Sequence, residues 1–157
     1  RKKIKNLKIK NLKNKSLLSD KVATSASIIA KDNKIRKIVH SFQTQRAYNP
    51  PAKYNGSVLD GRDITSIIIK DAMFKFYITA SAKTRAMRRF KEYKHLNKKI
   101  SYRQVIRSLK KRDFSDKNRR YGRLKKTKDS ILLNTNKDSI TSCFKKIRQI
   151  MDRKLKS

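Results

Sequence analysis

The alternation of apolar and polar positions predicts helices in the first third of the chain. Residues 1–16 contain a five-residue repeat whose apolar spacing fits neither a helix nor a strand, so we expect this segment to be irregular or weakly extended. Ser19-Asp20 is typical of a helix start, and a second helix is predicted from a cap at Asn33 to a stop before Pro50. The apolar positions of the two helices are Val22, Ala26 and Ile29, then Ile35, Ile38, Val39 and Phe42.

Shorter apolar runs predict strands further along the chain. Residues 57–59 form a short buried strand in this interpretation, and it stops at Gly61. Thr65–Ile69 is another apolar, β-branched run, and Met73–Thr79 alternates in the manner of a strand. Ser130–Asn134 is predicted to be a buried strand. The alternating apolar residues of the 73–79 strand are Phe74, Phe76 and Ile78.

Three helices are predicted between and after these strands. Ser81 and Ser101 are suitable helix caps, and Asp138 or Ser139 is the predicted cap of a final helix. The apolar stripes are Tyr102, Val105, Ile106 and Leu109 in the second helix and Ile140, Phe144, Ile147 and Met151 in the last. Because strands alternate with helices from residue 57 on, the sequence predicts an α/β domain with a mainly parallel sheet of only three or four strands.

Composition adds a strong positive charge to this outline. The 157 residues carry 45 Lys and Arg against 11 Asp and Glu, which gives a net charge of +34. One interpretation is a protein that binds polyanions such as RNA; the other is a Lys-, Asn- and Ile-rich composition with AT-rich codons and little functional meaning. The basic residues are spread along the whole length, which weakens the case for a dedicated basic arm.

Other composition features exclude several classes of site. Cys143 is the one cysteine, so no internal disulfide is available, and we expect it to be a buried structural thiol. His40 and His95 are far apart in sequence and form no zinc pattern. No apolar run approaches the length of a membrane span, and a cytoplasmic protein is expected. Since the sequence starts at Arg1 and not at Met, we expect a fragment or a processed product.

The first candidate site is the segment Asp60-Gly61-Arg62-Asp63. A strand end in an open α/β sheet is where ligand-binding groups are placed. Arg62 could hold a phosphate there while Asp63 holds a base or a sugar. The alternative is a surface ion pair between these two neighbours, and the segment alone does not decide between them.

Two arginine clusters extend the candidate site. Arg85, Arg88 and Arg89 share one face of a predicted helix, where they repel one another unless an anion lies between them. Arg112, Asp116 and Arg119 also share a helical face, with a carboxylate between two arginines. A solvated basic face and a chain of surface ion pairs are the alternatives. Together the clusters suggest a multiply anionic ligand, and phosphoryl transfer relies on such positioning and charge neutralisation.

The order and spacing of these pieces resemble the bacterial cytidylate kinases (CMP/dCMP kinases), which belong to the P-loop nucleoside monophosphate kinases. The matching segments are Ala23 to Ala30, Ile35-Arg36, Asp60-Gly61-Arg62-Asp63-Ile64, Asp71-Ala72, Thr79-Ala80-Ser81-Ala82, Arg85-Ala86 with Arg88-Arg89, Arg112-Asp113 with Asp116, Asn118 and Arg119, and Asp129 to Thr135. They cover the chain from about Leu18 to Lys154.

The resemblance implies a role for each candidate residue. Ser27, Arg36 and Asp63 would read cytosine, and Asp63 suits the exocyclic amino group as an acceptor. Asp116 would meet the ribose. The phosphate-binding and catalytic arginines would be Arg62, Arg112 and Arg119, and the arginines of a mobile lid near the ATP phosphates would be Arg85, Arg88 and Arg89. The implied ligands are CMP or dCMP and ATP, with Mg²⁺ bridging the ATP phosphates and no dedicated metal ligands in the protein.

The implied fold is a three-layer parallel-sheet nucleoside monophosphate kinase fold that is incomplete, with the first strand and the P-loop helix missing. Residues 1–56 would be the remnant of the CMP-binding subdomain, and 57–157 the α/β core with a lid at about 85–125. None of the three glycines fits the G-x-x-x-x-G-K phosphate loop. We therefore expect the 157 residues alone to be poorly stable and to transfer no phosphate, and a complete protein to be a monomer.

Several positions depart from the family pattern, in turns or in the lid. They are Thr65, Lys70, Ser115, Arg123 and Asn134. Two alternatives to a kinase stay open: a basic RNA-binding protein and a non-catalytic nucleotide-binding remnant. The kinase interpretation is favoured over RNA binding, because an RNA-binding protein has no need of Asp63, Asp116 and the ordered arginines.

Overall fold

A computed structural model describes residue 17 and residues 20–29 and 32–156. The segment 1–16, for which irregular structure was expected, lies outside the described residues. Contacts divide the chain into two compact units, Arg1–Gly61 and Arg62–Ser157. None of the helices in the described part is long and apolar enough to cross a membrane.

The described residues of the first unit include the α-helices α1 (Asp20–Ile29) and α2 (Asn33–Tyr48). Both were predicted, but the cap of α2 is Asp32 and not Asn33. The Asp32 carboxylate accepts hydrogen bonds from the backbone N–H groups of Lys34 (2.7 Å) and Ile35 (3.1 Å). An aspartate placed one residue earlier satisfies these first-turn donors, so Asn33 becomes the first helical residue. The helix ends before Pro50, as predicted.

Residues 57–60 are irregular, so the prediction of a buried strand there is wrong. Val58 is fully exposed (101%), and the Ser57 hydroxyl donates a hydrogen bond to the carbonyl oxygen of Arg46 at 2.7 Å. A strand of three residues depends on a neighbour to pair with its backbone groups. No described strand supplies that pairing.

The second unit begins with a five-residue π-helical turn, Ile64–Ile68, where the β-branched sequence suggested a strand. The Asp63 carbonyl oxygen accepts from the Ile67 N–H (2.9 Å), and the Ile69 N–H donates to the Ile64 carbonyl oxygen (2.7 Å). Ile64 and Ile69 are 7% and 6% exposed. Burial of apolar side chains outweighs the weak strand preference of β-branched residues here.

The sheet in the described residues consists of two parallel strands, β1 (Phe76–Thr79) and β2 (Ile131–Asn134). The register pairs Phe76 with Ile131 and Thr79 with Asn134. The α/β class and the parallel pairing are confirmed, but the described sheet has two strands where three or four were expected. Ile78 is 55% exposed, so the predicted alternation does not bury it.

Helices α3 (Ala82–His95) and α4 (Tyr102–Asn118) form a hairpin with its own core. The predicted caps are confirmed: the Ser81 hydroxyl accepts from the Thr84 N–H (3.1 Å), and Ser101 forms a capping box with Gln104. The buried residues of this core are Ala86, Tyr93 and Val105, and Phe90, Ile100, Tyr102, Ile106 and Leu109 pack against them. The predicted stripe of α4 therefore faces α3.

The last helix, α5 (Ile140–Lys156), was predicted. Ser139 caps it, because the Ser142 N–H donates to the Ser139 hydroxyl at 3.1 Å. The predicted stripe is only partly covered: Ile140 and Phe144 are 91% and 63% exposed, whereas Ile147 and Met151 are half-buried. Cys143 is half-buried and not fully buried as expected. An amphipathic pattern shows which face can pack, but burial also needs an apolar partner within reach.

Candidate functional site

Asp116 lies at the centre of the predicted phosphate-binding residues. Its Oδ2 accepts a hydrogen bond from Arg62 Nε at 2.7 Å and lies 3.9 Å from Arg112 Nε. Its Oδ1 lies 3.8 Å from Arg119 Nη1. The Asp116 side chain is 14% exposed, whereas the arginine side chains are 39% (Arg62), 66% (Arg112) and 29% (Arg119) exposed. One carboxylate among three guanidinium groups leaves an excess of two positive charges, which suits a phosphate dianion.

Local structure explains how these side chains meet. Arg112 and Asp116 are one turn apart on α4, so they share a face. Arg119 is the C-cap residue with extended backbone, not a helical residue as the predicted spacing assumed. Its Nε donates to the carbonyl oxygen of Gly122, which has a φ of 63° that favours glycine. Arg62 comes from a distant part of the sequence, and its Nε donates to Asp116 Oδ2 across 54 positions.

A second ion pair lies one turn earlier on α4. Arg85 donates from Nη1 to Asp113 Oδ1 (2.8 Å) and from Nη2 to Asp113 Oδ2 (2.7 Å), a two-bond fork. Its Nε donates to the Ala80 carbonyl oxygen at 2.9 Å. The hydrogen bond from Arg85 is the main cause that holds the pKa of the Asp113 carboxyl below its usual range, and the same bond raises the pKa of Arg85.

Arg88 contacts the segment that follows β2. Its guanidinium donates to the Thr135 hydroxyl (3.2 Å), to the Thr135 carbonyl oxygen and to the Asp138 carbonyl oxygen (2.9 Å). Thr135 in turn bonds to the Thr79 carbonyl oxygen through its N–H (2.8 Å) and its hydroxyl (3.1 Å). In this structure Arg88 therefore joins α3 to the carboxyl ends of both strands.

Arg89 forms contacts within α3. Its Nη1 donates to Glu92 Oε2 at 2.8 Å, and its guanidinium lies 4.7 Å from the centre of the Tyr93 ring. The three arginines that share a face in sequence thus have three different protein partners. Asp113 and Glu92 are carboxylates, so they offset the charges of Arg85 and Arg89 without an added anion.

The three predicted cytosine-reading residues are found in different settings. Asp63 is 9% exposed and immediately precedes the π-helical turn of the second unit. Arg36 is half-buried in the first turn of α2, in the first unit. Ser27 belongs to α1, and its side chain lies outside the described part. Since Ser27 and Arg36 belong to a different unit from Asp63, their grouping into one base site stays a prediction.

Sequence reasoning gave no role to two polar side chains that organise this region. Asp113 was part of a matched motif, but its spacing to Arg112 and Asp116 carried no sign of a pair with Arg85. Asn136 accepts a hydrogen bond at Oδ1 from the Ser81 N–H at 2.7 Å and so ties the end of β2 to the start of α3. No local signal could reveal either contact, because the partners are 28 and 55 positions apart.

The described residues do not offer a metal site of their own. No group of three or more His, Cys, Asp and Glu residues that could hold a metal ion occurs among them. Asp113 and Asp116, the two carboxylates nearest the arginines, are both bonded to guanidinium groups. These two carboxylates therefore do not fit a protein-held Mg²⁺.

Two parallel strands with an arginine-rich helical hairpin between them in sequence, together with the ordered arginine and aspartate pairs, are consistent with the nucleoside monophosphate kinase fold. Comparisons with known proteins specify this further. The cytidylate kinase family model matches residues 3–153. The chain belongs to the cytidylate kinase family.

Curated relatives show the same similarity. A cytidylate kinase of Clostridium botulinum (strain Loch Maree / Type A3) is 40% identical over 132 residues, which cover 84% of this chain and 58% of that protein. Cytidylate kinases of Clostridium tetani (strain Massachusetts / E88) and Mesomycoplasma hyopneumoniae (strain 7448) are each 34% identical, over 83% and 88% of this chain. The match spans 56% and 59% of those two proteins, so the chain covers less than two thirds of its relatives' length.

Proposed function

We propose that the protein phosphorylates CMP or dCMP with ATP to give CDP or dCDP, and that the described chain contributes the site for the monophosphate. The observation that carries the proposal is the grouping of Arg62, Arg112 and Arg119 around Asp116. Family membership and the names of the relatives support the reaction. No second function is favoured by a particular contact.

The arginines would act by charge and position. Arg62 and Arg112 are at least a third exposed, so a solvent-borne phosphate can reach them while Asp116 holds Arg62 in place. Neutralising the phosphate lowers the repulsion that a second phosphate meets during transfer. In this proposal Arg62, Arg112 and Arg119 are the groups that touch the reacting phosphate.

Asp116 would also contact the ribose. Its Oδ1 is 3.8 Å from Arg119, which is beyond hydrogen-bond distance, so this oxygen can accept a bond from a sugar hydroxyl. Asp63, Ser27 and Arg36 are the proposed readers of cytosine. Because Asp63 is nearly covered, we infer that the segment beside it shifts when a base binds.

The donor side of the reaction rests on the family alone. ATP with Mg²⁺ is the proposed donor. The resemblance implies Arg85, Arg88 and Arg89 as lid arginines, and we propose that role for Arg88 and Arg89, each of which would have to leave at least one protein partner to meet ATP. Arg85 is held on Asp113 and on the Ala80 carbonyl oxygen by three hydrogen bonds. The location in the cytoplasm and the monomeric state stay predictions.

Calorimetric titration with CMP tests the proposal. We expect the wild-type protein to bind CMP more tightly than cytidine, which lacks the phosphate. Arg62→Met should weaken CMP binding about tenfold or more, since a charge-assisted contact to the phosphate is lost, and should leave cytidine binding unchanged.

The matched control is Arg148→Met on α5. Arg148 is also an arginine beside an aspartate (3.5 Å from Asp152), but it is 72% exposed and belongs to a different helix. The Arg148→Met substitution removes the same charge as Arg62→Met, so the CMP affinity of this variant should equal that of the wild type. Absence of CMP binding by the wild type, or equal effects of the two substitutions, would contradict the proposed phosphate site.

A further inference from the structure

Two aspartates on α4, Asp113 and Asp116, each pair with an arginine from outside that helix. Asp113 and Asp116 are three positions apart on the helix, which places them on neighbouring parts of one face. Each holds an arginine from a different segment: Arg85 comes from the first turn of α3, and Arg62 comes from the end of the Asp-Gly-Arg-Asp segment. The face therefore presents two carboxylates to two arginines.

The two pairs differ in the number of carboxylate oxygens that accept a hydrogen bond from the arginine. Both oxygens of Asp113 are bonded to Arg85 through the fork, whereas Asp116 is bonded to Arg62 through one oxygen. Arg62 is bonded to Asp116, and Asp113 lies one helical turn away on the same face, so the charge of Arg62 acts on both carboxylates and helps to lower the pKa of Asp113. If Arg85 were absent, Asp113 would be a second carboxylate beside Arg62, with no hydrogen-bonded guanidinium and only the charges of Lys117 and Arg62 to offset its own.

The Arg85 guanidinium has a further contact besides Asp113. Its Nε bond to the Ala80 carbonyl oxygen and its two bonds to Asp113 employ three nitrogen atoms of one guanidinium group. A side chain held in this way is poorly suited to leave for a distant ligand. This geometry agrees better with a permanent partner for Asp113 than with the lid role that the family resemblance implies.

We propose that Arg85 is a positioning residue of the monophosphate site, because it occupies both oxygens of Asp113 and thereby keeps Arg62 on Asp116, available to a phosphate. The inference rests on the proposed function in so far as that phosphate belongs to CMP. Asp113 touches no ligand in this scheme. Its charge matters only when Arg85 does not cancel it, since it then attracts Arg62 and repels the phosphate.

A double-mutant cycle tests this role. Arg85→Met should weaken CMP binding about tenfold, because the Asp113 charge is exposed to the phosphate. Asp113→Asn alone should leave CMP affinity within about twofold of the wild type. The double variant Arg85→Met with Asp113→Asn should restore binding to near the wild-type value, because the uncompensated charge is then gone.

The rescue separates positioning from mere support of the fold. If the pair only tied α3 to α4, the double variant would lose the tie as Arg85→Met does and would bind CMP as weakly. Arg85→Lys provides a milder probe in case Arg85→Met fails to fold: it keeps the charge without the fork and should retain most of the affinity. Equal weakness of the single and double variants, or an Arg85→Lys protein as weak as Arg85→Met, would overturn the proposal.

Inorganic phosphate, as a second probe, separates this inference from the proposed function. The rise in the unfolding midpoint caused by phosphate should follow the same order: present in the wild type, reduced in Arg85→Met and restored in the double variant. If phosphate gives this order and CMP does not bind, the kinase assignment fails and the role of Arg85 stands. If CMP binds but the double variant does not restore binding, the kinase assignment stands and the role of Arg85 fails. If neither CMP nor phosphate binds, both the kinase assignment and the role of Arg85 fail.

Discussion

The α3–α4 hairpin and helix α5 have similar sequence patterns and opposite packing. Both carry an apolar stripe at helical spacing and both begin at a serine cap. In the hairpin the stripes of two helices meet and bury Ala86, Tyr93 and Val105, whereas in α5 Ile140 and Phe144 remain largely exposed. The difference shows that an apolar helical stripe is buried only where a second apolar surface packs against it. The hairpin has its partner within the same short stretch of chain, so its core forms locally.

The largest expected effect compares two aromatic residues. Tyr93→Ala should lower the free energy of unfolding by about 3 kcal/mol, because Tyr93 is 5% exposed in the hairpin core and its loss leaves a cavity. Phe144→Ala on α5 should cost less than about 1 kcal/mol, because the ring is 63% exposed. Urea denaturation of both variants measures the difference. Equal losses would show that the α5 stripe is buried in solution.

A smaller effect is expected at the helix caps. Ser101→Ala removes the capping box of α4 and should cost about 1 kcal/mol of unfolding free energy. Ser139→Ala removes a similar bond at α5, but we expect it to act mainly on that helix, because none of the described side chains of α5 is fully buried. Amide hydrogen exchange should show faster exchange confined to α5 in Ser139→Ala. Uniform acceleration over the hairpin would contradict this.

The smallest expected effect is on how the stability of the fold depends on pH in the acid range. The pKa of Asp113 is below its ordinary value of 3.8 in the folded chain, chiefly through the bond from Arg85, so the unfolded chain binds that proton more readily. The stabilisation is therefore complete above about pH 3.8 and is lost as the pH falls through the lower folded-state pKa. Asp113→Asn should flatten the acid side of a plot of unfolding midpoint against pH.

Asp152→Asn on α5 is the matched control for this titration. Asp152 is 56% exposed and 3.5 Å from Arg148, so the same charge is removed where the pair is open to solvent. Asp129, whose pKa is lowered to about 2 mainly by its bond from Lys75, titrates in the same acid range in every variant. The contribution of Asp129 to the acid slope is therefore the same in Asp113→Asn, Asp152→Asn and the wild type. An acid slope unchanged by Asp113→Asn would show that the fork does not form in solution.

Much of the hairpin could be predicted from local sequence, and less of the site. Ser81 and Ser101 are confirmed as caps because capping joins residues two or three positions apart. The strand predicted at 57–59 is absent because a strand depends on a distant neighbour. Asp116 was predicted to lie between arginines, and it does, but its shortest bond is to Arg62, 54 positions away.

The sequence by itself determined the helix starts, the α/β order, the parallel pairing and the family to which the chain belongs. These follow from short-range hydrogen bonds, apolar periodicity and the order of motifs, all of which can be read along the chain. Only the tertiary structure decided which partner each arginine takes and which apolar stripe is buried. A guanidinium group can pair with any carboxylate or carbonyl oxygen in reach, and the fold alone determines that Arg85 reaches Asp113 while Arg62 reaches Asp116.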